Sequence, residues 1–147
     1  MGLKTDFQRS DVNSQDPLNL NFKKIEDYIE DTGWLPLTLS SEFRQYSSSE
    51  ADTLVYRRIG KDVEIKGVIQ PTAAIPAGGS ATIATLPPEI AGLTKTAYTV
   101  CHGSAKNTWL ATVEASGVLK FARYGATSNI EADTNVWLPL TIRYFID

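Results

Sequence analysis

The stretch from residue 54 to residue 69 constrains the fold most, because two alternating runs, LVYRRI and DVEIKGVI, meet at a Gly-Lys corner. This pattern predicts a β-hairpin in which Gly60 and Lys61 form a type II′ turn, since that turn requires glycine at its first central position. Counting outward from the turn fixes the register and places Arg57 opposite Glu64 as a cross-strand charge pair. One face is then mostly apolar and consists of Leu54, Tyr56, Arg58, Val63, Ile65 and Gly67. The hairpin therefore predicts a sheet with one face toward a core and the other toward water.

The rest of the chain from Trp34 onward has the pattern of an all-β domain, with short alternating runs separated by clusters of Gly, Pro, Ser and Asp. Eight strands are predicted, at residues 34–39, 53–59, 62–69, 80–86, 96–102, 108–115, 117–123 and 135–145. That number is typical of a β-sandwich or a closed barrel. We therefore expect a mainly β protein with an antiparallel sandwich or barrel head over residues 33–147.

The sequence WLPLT occurs twice, at residues 34–38 and 137–141, in the first and last predicted strands. Nothing between the two copies repeats, so we do not interpret them as a domain duplication. Proline removes a donor from the hydrogen-bond ladder, so Pro36 and Pro139 predict edge positions or bulges at a seam of the sheet. Coincidence is the alternative explanation of the repeat.

A second hairpin is predicted at Ser116 and Gly117. With these two residues as the loop, Leu110 shares one face with Leu119 and Phe121. The other face consists of Trp109, Ala111, Val113, Ala115, Val118, Ala122 and Tyr124. Both faces are then rich in apolar groups. A covered second face is expected, either by a loop or by a neighbouring subunit.

The first 32 residues differ from the rest and predict an arm followed by a helix. Residues 1–15 are polar and without periodicity, whereas Asp16 and Pro17 can open a helix that runs to about Asp31 and ends before Gly33. Four apolar residues follow the spacing of a coiled-coil seam, namely Leu18, Phe22, Ile25 and Ile29. The seam predicts either packing of this helix on the chain's own β-domain or a short parallel bundle about a symmetry axis.

Composition excludes several classes of protein. A chain of 147 residues, 42% hydrophobic and 21% charged, is typical of one globular domain with a short appendage. A net charge of −3 provides no basic surface for phosphate backbones, so nucleic acid is not expected as a partner. No apolar run reaches the length of a membrane span, and the start MGLKTDFQRS lacks the apolar core of a signal peptide. We therefore expect synthesis and folding in a cytoplasm, without membrane insertion.

The sequence offers little for catalysis or metal binding. One cysteine and one histidine cannot supply the usual zinc spacings, so no metal or other cofactor is expected. Cys101 lies in a strand-like VCHG run and is interpreted as a small buried residue rather than a catalytic thiolate. Glu131 and Asp133 lie in a polar loop, where solvation is the ordinary state of a carboxylate pair and a glycosidase site the remote alternative. Nucleophile-elbow, phosphate-loop and zincin motifs are missing from the sequence, so we expect a binding protein and no enzyme.

The order Trp-x-x-Leu, a polar spacer, VYRRIGKDVEIKGVI, LPPEI and an SG hairpin resembles the C-terminal head domain of receptor-binding proteins in the tail tips and baseplates of siphophages of Gram-positive bacteria. In that family a Tyr-Arg-Lys-like strand, a Gly turn and a Val-x-Ile/Leu-x-Gly strand are followed by a Leu-Pro pair. The resemblance covers residues 33–147. It implies a homotrimer in the virion, assembled in the host cytoplasm, whose N-terminal arm and helix bind another baseplate or tail protein.

The resemblance also implies attachment of the virion to a host cell-wall saccharide. A saccharide site needs an aromatic face and fixed hydrogen-bonding groups. The expected binding residues are His102, Trp109, Arg123 and Tyr124, of which the first two match the family's His and Trp before the SG hairpin and the last two depend on the predicted register. The structural alternative for each is that Trp109 and Tyr124 form a core cross-strand pair and that His102 is an ordinary strand residue.

Two further hypotheses remain open at this stage. The chain can be a structural tail or head-fibre trimer of the same fold that binds no saccharide, or a bacterial carbohydrate-binding module, which the helical N-terminal anchor disfavours. Titration with cell-wall polysaccharide or a glycan array distinguishes a receptor-binding protein from a structural one.

Overall fold

The structure, a computed structural model, describes residues 30–125 and 130–147. The predicted arm and almost all of the predicted helix, including the seam residues Leu18, Phe22, Ile25 and Ile29, lie outside the described residues. Glu30 and Asp31 are described and are not helical, because Asp31 forms a β-bridge with Ile59 and the Gly60 N–H donates to the carbonyl of Glu30. The prediction that the helix continues to Asp31 is therefore wrong.

The described residues form nine β-strands, whose bounds are β1 Leu35–Pro36, β2 Phe43–Gln45, β3 Val55–Ile59, β4 Asp62–Pro71, β5 Ser80–Thr85, β6 Ala97–His102, β7 Thr108–Val113, β8 Val118–Ala122 and β9 Leu138–Phe145. Short 3₁₀ helices lie at Glu50–Asp52, Pro88–Ile90 and Ser104–Lys106. All eight predicted strands are confirmed; seven are shorter than predicted, and β4 extends two residues further, to Pro71. β2 was missed, because a three-residue strand with one buried side chain, Phe43, has no alternation to detect.

The strands form two antiparallel sheets. In the first sheet the order is β1-β3-β4-β2, with β9 paired to β4, and in the second it is β5-β8-β7-β6. The core lies between the sheets and includes Ile65 and Ile142 from the first and Ile83, Trp109 and Phe121 from the second. Among the described residues no ladder joins the sheets, although β6 and β9 lie side by side. The predicted mainly β fold is confirmed as a sandwich rather than a closed barrel.

The first hairpin has the predicted register. Arg57 lies opposite Glu64, and Gly60 has a φ of 60° while Lys61 stays outside the left-handed region, as a type II′ turn requires. The predicted charge pair is replaced, however, because the Arg57 guanidinium donates from Nε to Oδ1 of Asp31 at 2.9 Å. This hydrogen bond and one from the Gly33 N–H lower the pKa of Asp31 to about 2.

The second hairpin differs from its prediction by one residue. Leu110 pairs with Ala122 and Val113 with Leu119, because the turn contains three residues and ends at Gly117, whose φ is 83°. A shift of one residue exchanges the faces. Trp109, Ala111 and Val113 therefore share the buried face with Leu119 and Phe121. The outer face is mixed, because Leu110 and Ala122 lie beside Thr112 and Lys120. The oligomer argument built on two fully apolar faces of this hairpin is therefore wrong.

Candidate functional site

The four residues expected to bind saccharide do meet at one end of the second sheet, but their side chains separate into two groups. His102 ends β6 and pairs with Thr108 in β7, while Arg123 and Tyr124 follow β8. The side chains of His102 and Arg123 are exposed. Those of Trp109 and Tyr124 are buried, with exposed fractions of 1% and 4%. We call this end of the sandwich the tip, defined by residues 102–108, 123–125 and 137.

Trp109 is a core residue. Its indole Nε1 donates to the carbonyl oxygen of His102 at 2.8 Å, and its ring lies 5.1 Å from the ring of Phe121. Phe121 lies in turn 6.1 Å from the ring of Tyr124. The two predicted stacking residues are therefore joined through Phe121 in one buried aromatic cluster, and neither presents a ring face to solvent in this chain.

Backbone geometry turns Arg123 outward. Phe121 and Leu119 face the core, so a regular strand would also place Arg123 there. Its φ of 55° lies in the left-handed region, which ends the strand, leaves the guanidinium in solvent and buries Tyr124.

The tip holds all three non-glycine residues that have left-handed φ among residues 30–125 and 130–147, namely Ala105, Lys106 and Arg123. Conformations of this kind cost of order 1–3 kcal/mol each and cluster at binding and active sites. Their concentration at the tip is independent of the chemistry of the side chains. It therefore gives a second reason to place the functional site here.

Trp137 is the exposed aromatic residue of the tip that the sequence prediction missed. The residue is 43% exposed, its backbone N–H donates to Oγ of Ser104 at 2.7 Å, and its carbonyl faces Gly103. The backbone of Trp137 thus lies against the turn that follows His102. The WLPLT repeat was the available signal, because each copy begins with a tryptophan and both tryptophans are exposed, Trp34 to 40%.

The described residues provide little for nucleophilic catalysis or metal binding. Burial raises the pKa of the Cys101 thiol, whose sulfur lies 3.8 Å from the carbonyl oxygen of Thr141, so the interpretation of Cys101 as a small buried residue is confirmed. In residues 30–125 and 130–147, no group of three or more His, Cys, Asp and Glu side chains is placed to bind a metal ion. Within these same residues, no helix is long and apolar enough to cross a membrane.

The outer face of the second sheet carries an exposed apolar strip. Tyr98 and Val100 of β6 are 64% and 68% exposed, and Val100 pairs with Leu110, which pairs with Ala122. Large exposed side chains grouped in this way are typical of a surface that contacts another protein.

The two antiparallel sheets form a β-sandwich, and two solved structures of phage proteins have a similar fold. The head domain of lactococcal phage bIL170, described as a receptor-binding domain, matches 78% of this chain and 98% of its own length, with a TM-score of 0.56 and 16% identity. The receptor-binding protein of Listeria phage PSA matches 95% of this chain and 81% of its own, with a TM-score of 0.50 and 13% identity. The predicted resemblance to such heads from phages of Gram-positive bacteria is thus confirmed in fold. No protein-family model matches the sequence, and no curated protein matches it significantly.

Proposed function

We propose that this protein is a receptor-binding protein in the tail tip or baseplate of a phage of Gram-positive bacteria, and that it attaches the virion to a saccharide of the host surface. The observation that carries the proposal is the fold shared with the bIL170 head domain and with the receptor-binding protein of phage PSA. The tip supplies the chemistry. A sugar presents an apolar C–H face and several hydroxyls, which require an aromatic surface together with donors and acceptors.

The proposed saccharide site consists of His102, Arg123 and Trp137. The imidazole can donate and accept, the guanidinium donates, and the exposed indole offers a face for stacking. Trp109 and Tyr124 act as positioning residues in this site, because Trp109 bonds the carbonyl of His102 and the Tyr124 ring packs against Gly103.

Adsorption to cells tests this function. The full chain is incubated with killed Lactococcus and Listeria cells, and its depletion from the supernatant is measured. We expect adsorption to a subset of strains and competition by polysaccharide extracted from an adsorbing strain. The same polysaccharide after periodate oxidation, which cleaves vicinal diols, is the matched control and should not compete. Adsorption that protease treatment of the cells removes and polysaccharide does not affect would contradict a saccharide receptor.

A homotrimer in the virion, anchored by residues 1–32 to another baseplate or tail protein, completes the proposal. The seam spacing of Leu18, Phe22, Ile25 and Ile29 supports it, and so does the exposed apolar strip with Tyr98 and Val100. Light scattering of the full chain at micromolar concentration should give three chains per particle, and Val100→Asp should weaken the association. A monomer under these conditions would contradict the trimer.

The structural trimer without saccharide binding is the second candidate, because one fold can serve different functions. Its signature is a trimer by light scattering that adsorbs to no cells and binds no polysaccharide.

A further inference from the structure

Both WLPLT copies contribute to one open groove of about 610 Å³ on the outer face of the first sheet, and its lining includes neither His102 nor Arg123 of the tip. The first copy supplies Trp34 and Pro36, and the second supplies the segment from Pro139 to Thr141. The two copies of the repeat therefore line the same groove, which their positions at sheet edges do not explain by themselves.

The strand register brings the two copies together. Pro36 pairs with Val55, Val55 with Lys66, and Lys66 with Thr141, so one row of side chains crosses β1, β3, β4 and β9. Trp34 directly precedes β1, and its ring lies against Lys66 of this row. The two prolines occupy strands at opposite sides of this four-strand stretch, which confirms the predicted edge positions.

Trp34 is held in place by cations. The Lys66 ammonium lies 4.2 Å from the centre of the indole ring, and the Arg57 guanidinium carbon lies 5.8 Å from it. Arg57 is already bound to Asp31, whereas Lys66 has no ion-pair partner among the described residues. The Lys66 ammonium can therefore leave the ring and bond a ligand at the loss of one exposed cation–π contact.

The groove also contains a carboxylate. Glu50 lines the groove from the 3₁₀ helix Glu50–Asp52. The turn is fixed by Ser49, whose hydroxyl accepts from the Ala51 N–H at 3.3 Å, and by a hydrogen bond of 2.5 Å from Ser47 to Asp52. One donor and one acceptor of opposite charge favour a ligand that is itself neutral and both donates and accepts, whereas an anionic ligand would meet Glu50 and a cationic one Lys66.

We infer that this groove binds a neutral pyranose unit, with its C–H face on Trp34 and its hydroxyls on Glu50, Lys66 and Thr141. The inference rests on the proposed attachment function and adds a second saccharide site to that of the tip. The groove has the volume of ordinary small-ligand sites, which span about 300–1,000 Å³.

The three tryptophans report on three separate places, which makes the test direct. The full chain is labelled with ¹⁵N, and its indole N–H resonances are followed during titration with the methyl glycosides of glucose, galactose, mannose and N-acetylglucosamine, with glucose 6-phosphate as the anionic comparison. We expect at least one neutral glycoside to shift the resonance of Trp34, to leave that of buried Trp109 unchanged, and to bind more tightly than the phosphate.

Variants assign the shift to the groove. Trp34→Ala should weaken binding roughly tenfold or more, and Trp34→Phe should restore most of it, because the phenyl ring keeps a stacking face. Glu50→Gln and Lys66→Met should each weaken binding severalfold. Phe145→Ala, which removes an exposed aromatic ring from the same sheet outside the groove, is the matched control and should bind normally.

The outcomes separate this inference from the proposed function. A shift at Trp137 alone overturns the groove site and leaves attachment through the tip standing. No shift at either exposed tryptophan with any neutral glycoside overturns the groove site, and failure to adsorb to cells overturns the attachment function itself. A change in the number of chains per particle in Trp34→Ala, without any sugar-induced shift in the parent chain, identifies the groove as a subunit interface and also overturns the inference.

Discussion

The indole N–H of Trp109 donates to the backbone carbonyl of His102 at 2.8 Å, so a buried ring sets the backbone position of an exposed imidazole. His102 pairs with Thr108 in the neighbouring strand, and Trp109 is the next residue along that strand. The core of the second sheet is thereby coupled to the tip. A change at Trp109 affects the tip through the backbone of residues 102–104 and not through contact with a ligand.

Replacement of Trp109 should act on stability. Trp109→Ala removes a fully buried ring and should lower the free energy of unfolding by about 3–5 kcal/mol, as measured by urea denaturation. Trp109→Phe keeps most of the apolar contact and loses the hydrogen bond to His102, so about 1 kcal/mol is expected. If Trp109→Ala unfolds at the parent urea concentration but no longer binds polysaccharide, the ring is a ligand contact after all.

Replacement of the exposed tip residues should act on binding. His102→Ala and Arg123→Ala remove side chains that lie in solvent, so both should lose polysaccharide binding while their melting temperatures stay within a few degrees of the parent. Lys61→Ala, an exposed cation in the turn at the start of β4, is the matched control and should bind normally. Unchanged binding in both tip variants would place the saccharide site elsewhere.

Alkaline pH should destabilise the sandwich through Tyr56. Burial, reinforced by a hydrogen bond to Glu89, raises the pKa of Tyr56 from 10 to about 12, and burial also raises the pKa of Tyr144. Because the folded-state pKa is raised, Tyr56 contributes its full stabilisation below pH 10, and the fold loses this contribution as the pH rises from 10 to about 12. The melting temperature of Tyr56→Phe should therefore fall less steeply over this range than that of the parent. Tyr98→Phe, at an exposed position, is the control and should follow the parent profile.

Gly67→Ala should destabilise the first sheet. A Cβ atom at Gly67 would lie 2.6 Å from Cα of Leu54, and backbone atoms cannot move aside as a flexible side chain can. A loss of about 1–3 kcal/mol in the free energy of unfolding is expected, as for other insertions into close-packed sites. Gly92→Ala, where the nearest atom is 3.9 Å away, should be close to neutral. Equal stability of the two variants would contradict the close approach.

Removal of residues 1–29 should leave a folded sandwich that no longer enters the tail. The cut spares Glu30, Asp31 and Thr32, which bond to the hairpin at Arg58, Ile59 and Gly60 and so belong with the β-domain. Circular dichroism checks the fold, and incorporation into particles in infected cells checks the anchor. A truncated chain that still assembles into virions would contradict the role of the arm.

Much of the fold could be predicted from the sequence because its determinants are local. The Gly60-Lys61 turn and the alternation on either side fix the register of β3 and β4 within a few residues, and the prolines of the WLPLT copies exclude central strand positions. The second hairpin was predicted one residue out of register, because Ser116-Gly117 can end a turn of either two or three residues. Only packing of Trp109 and Phe121 in the core selects between these turns.

The candidate site is likewise determined partly by the sequence and partly by the tertiary structure. The sequence by itself determined which residues have the chemistry for a sugar, including the only histidine and three tryptophans. The tertiary structure decided which of them reach solvent, because burial of Trp109 and exposure of Trp34 and Trp137 depend on contacts between residues far apart in the chain. It alone also brings the two WLPLT copies, about a hundred residues apart, to one groove, because strand pairing through β3 and β4 joins segments whose own sequences carry no information about each other.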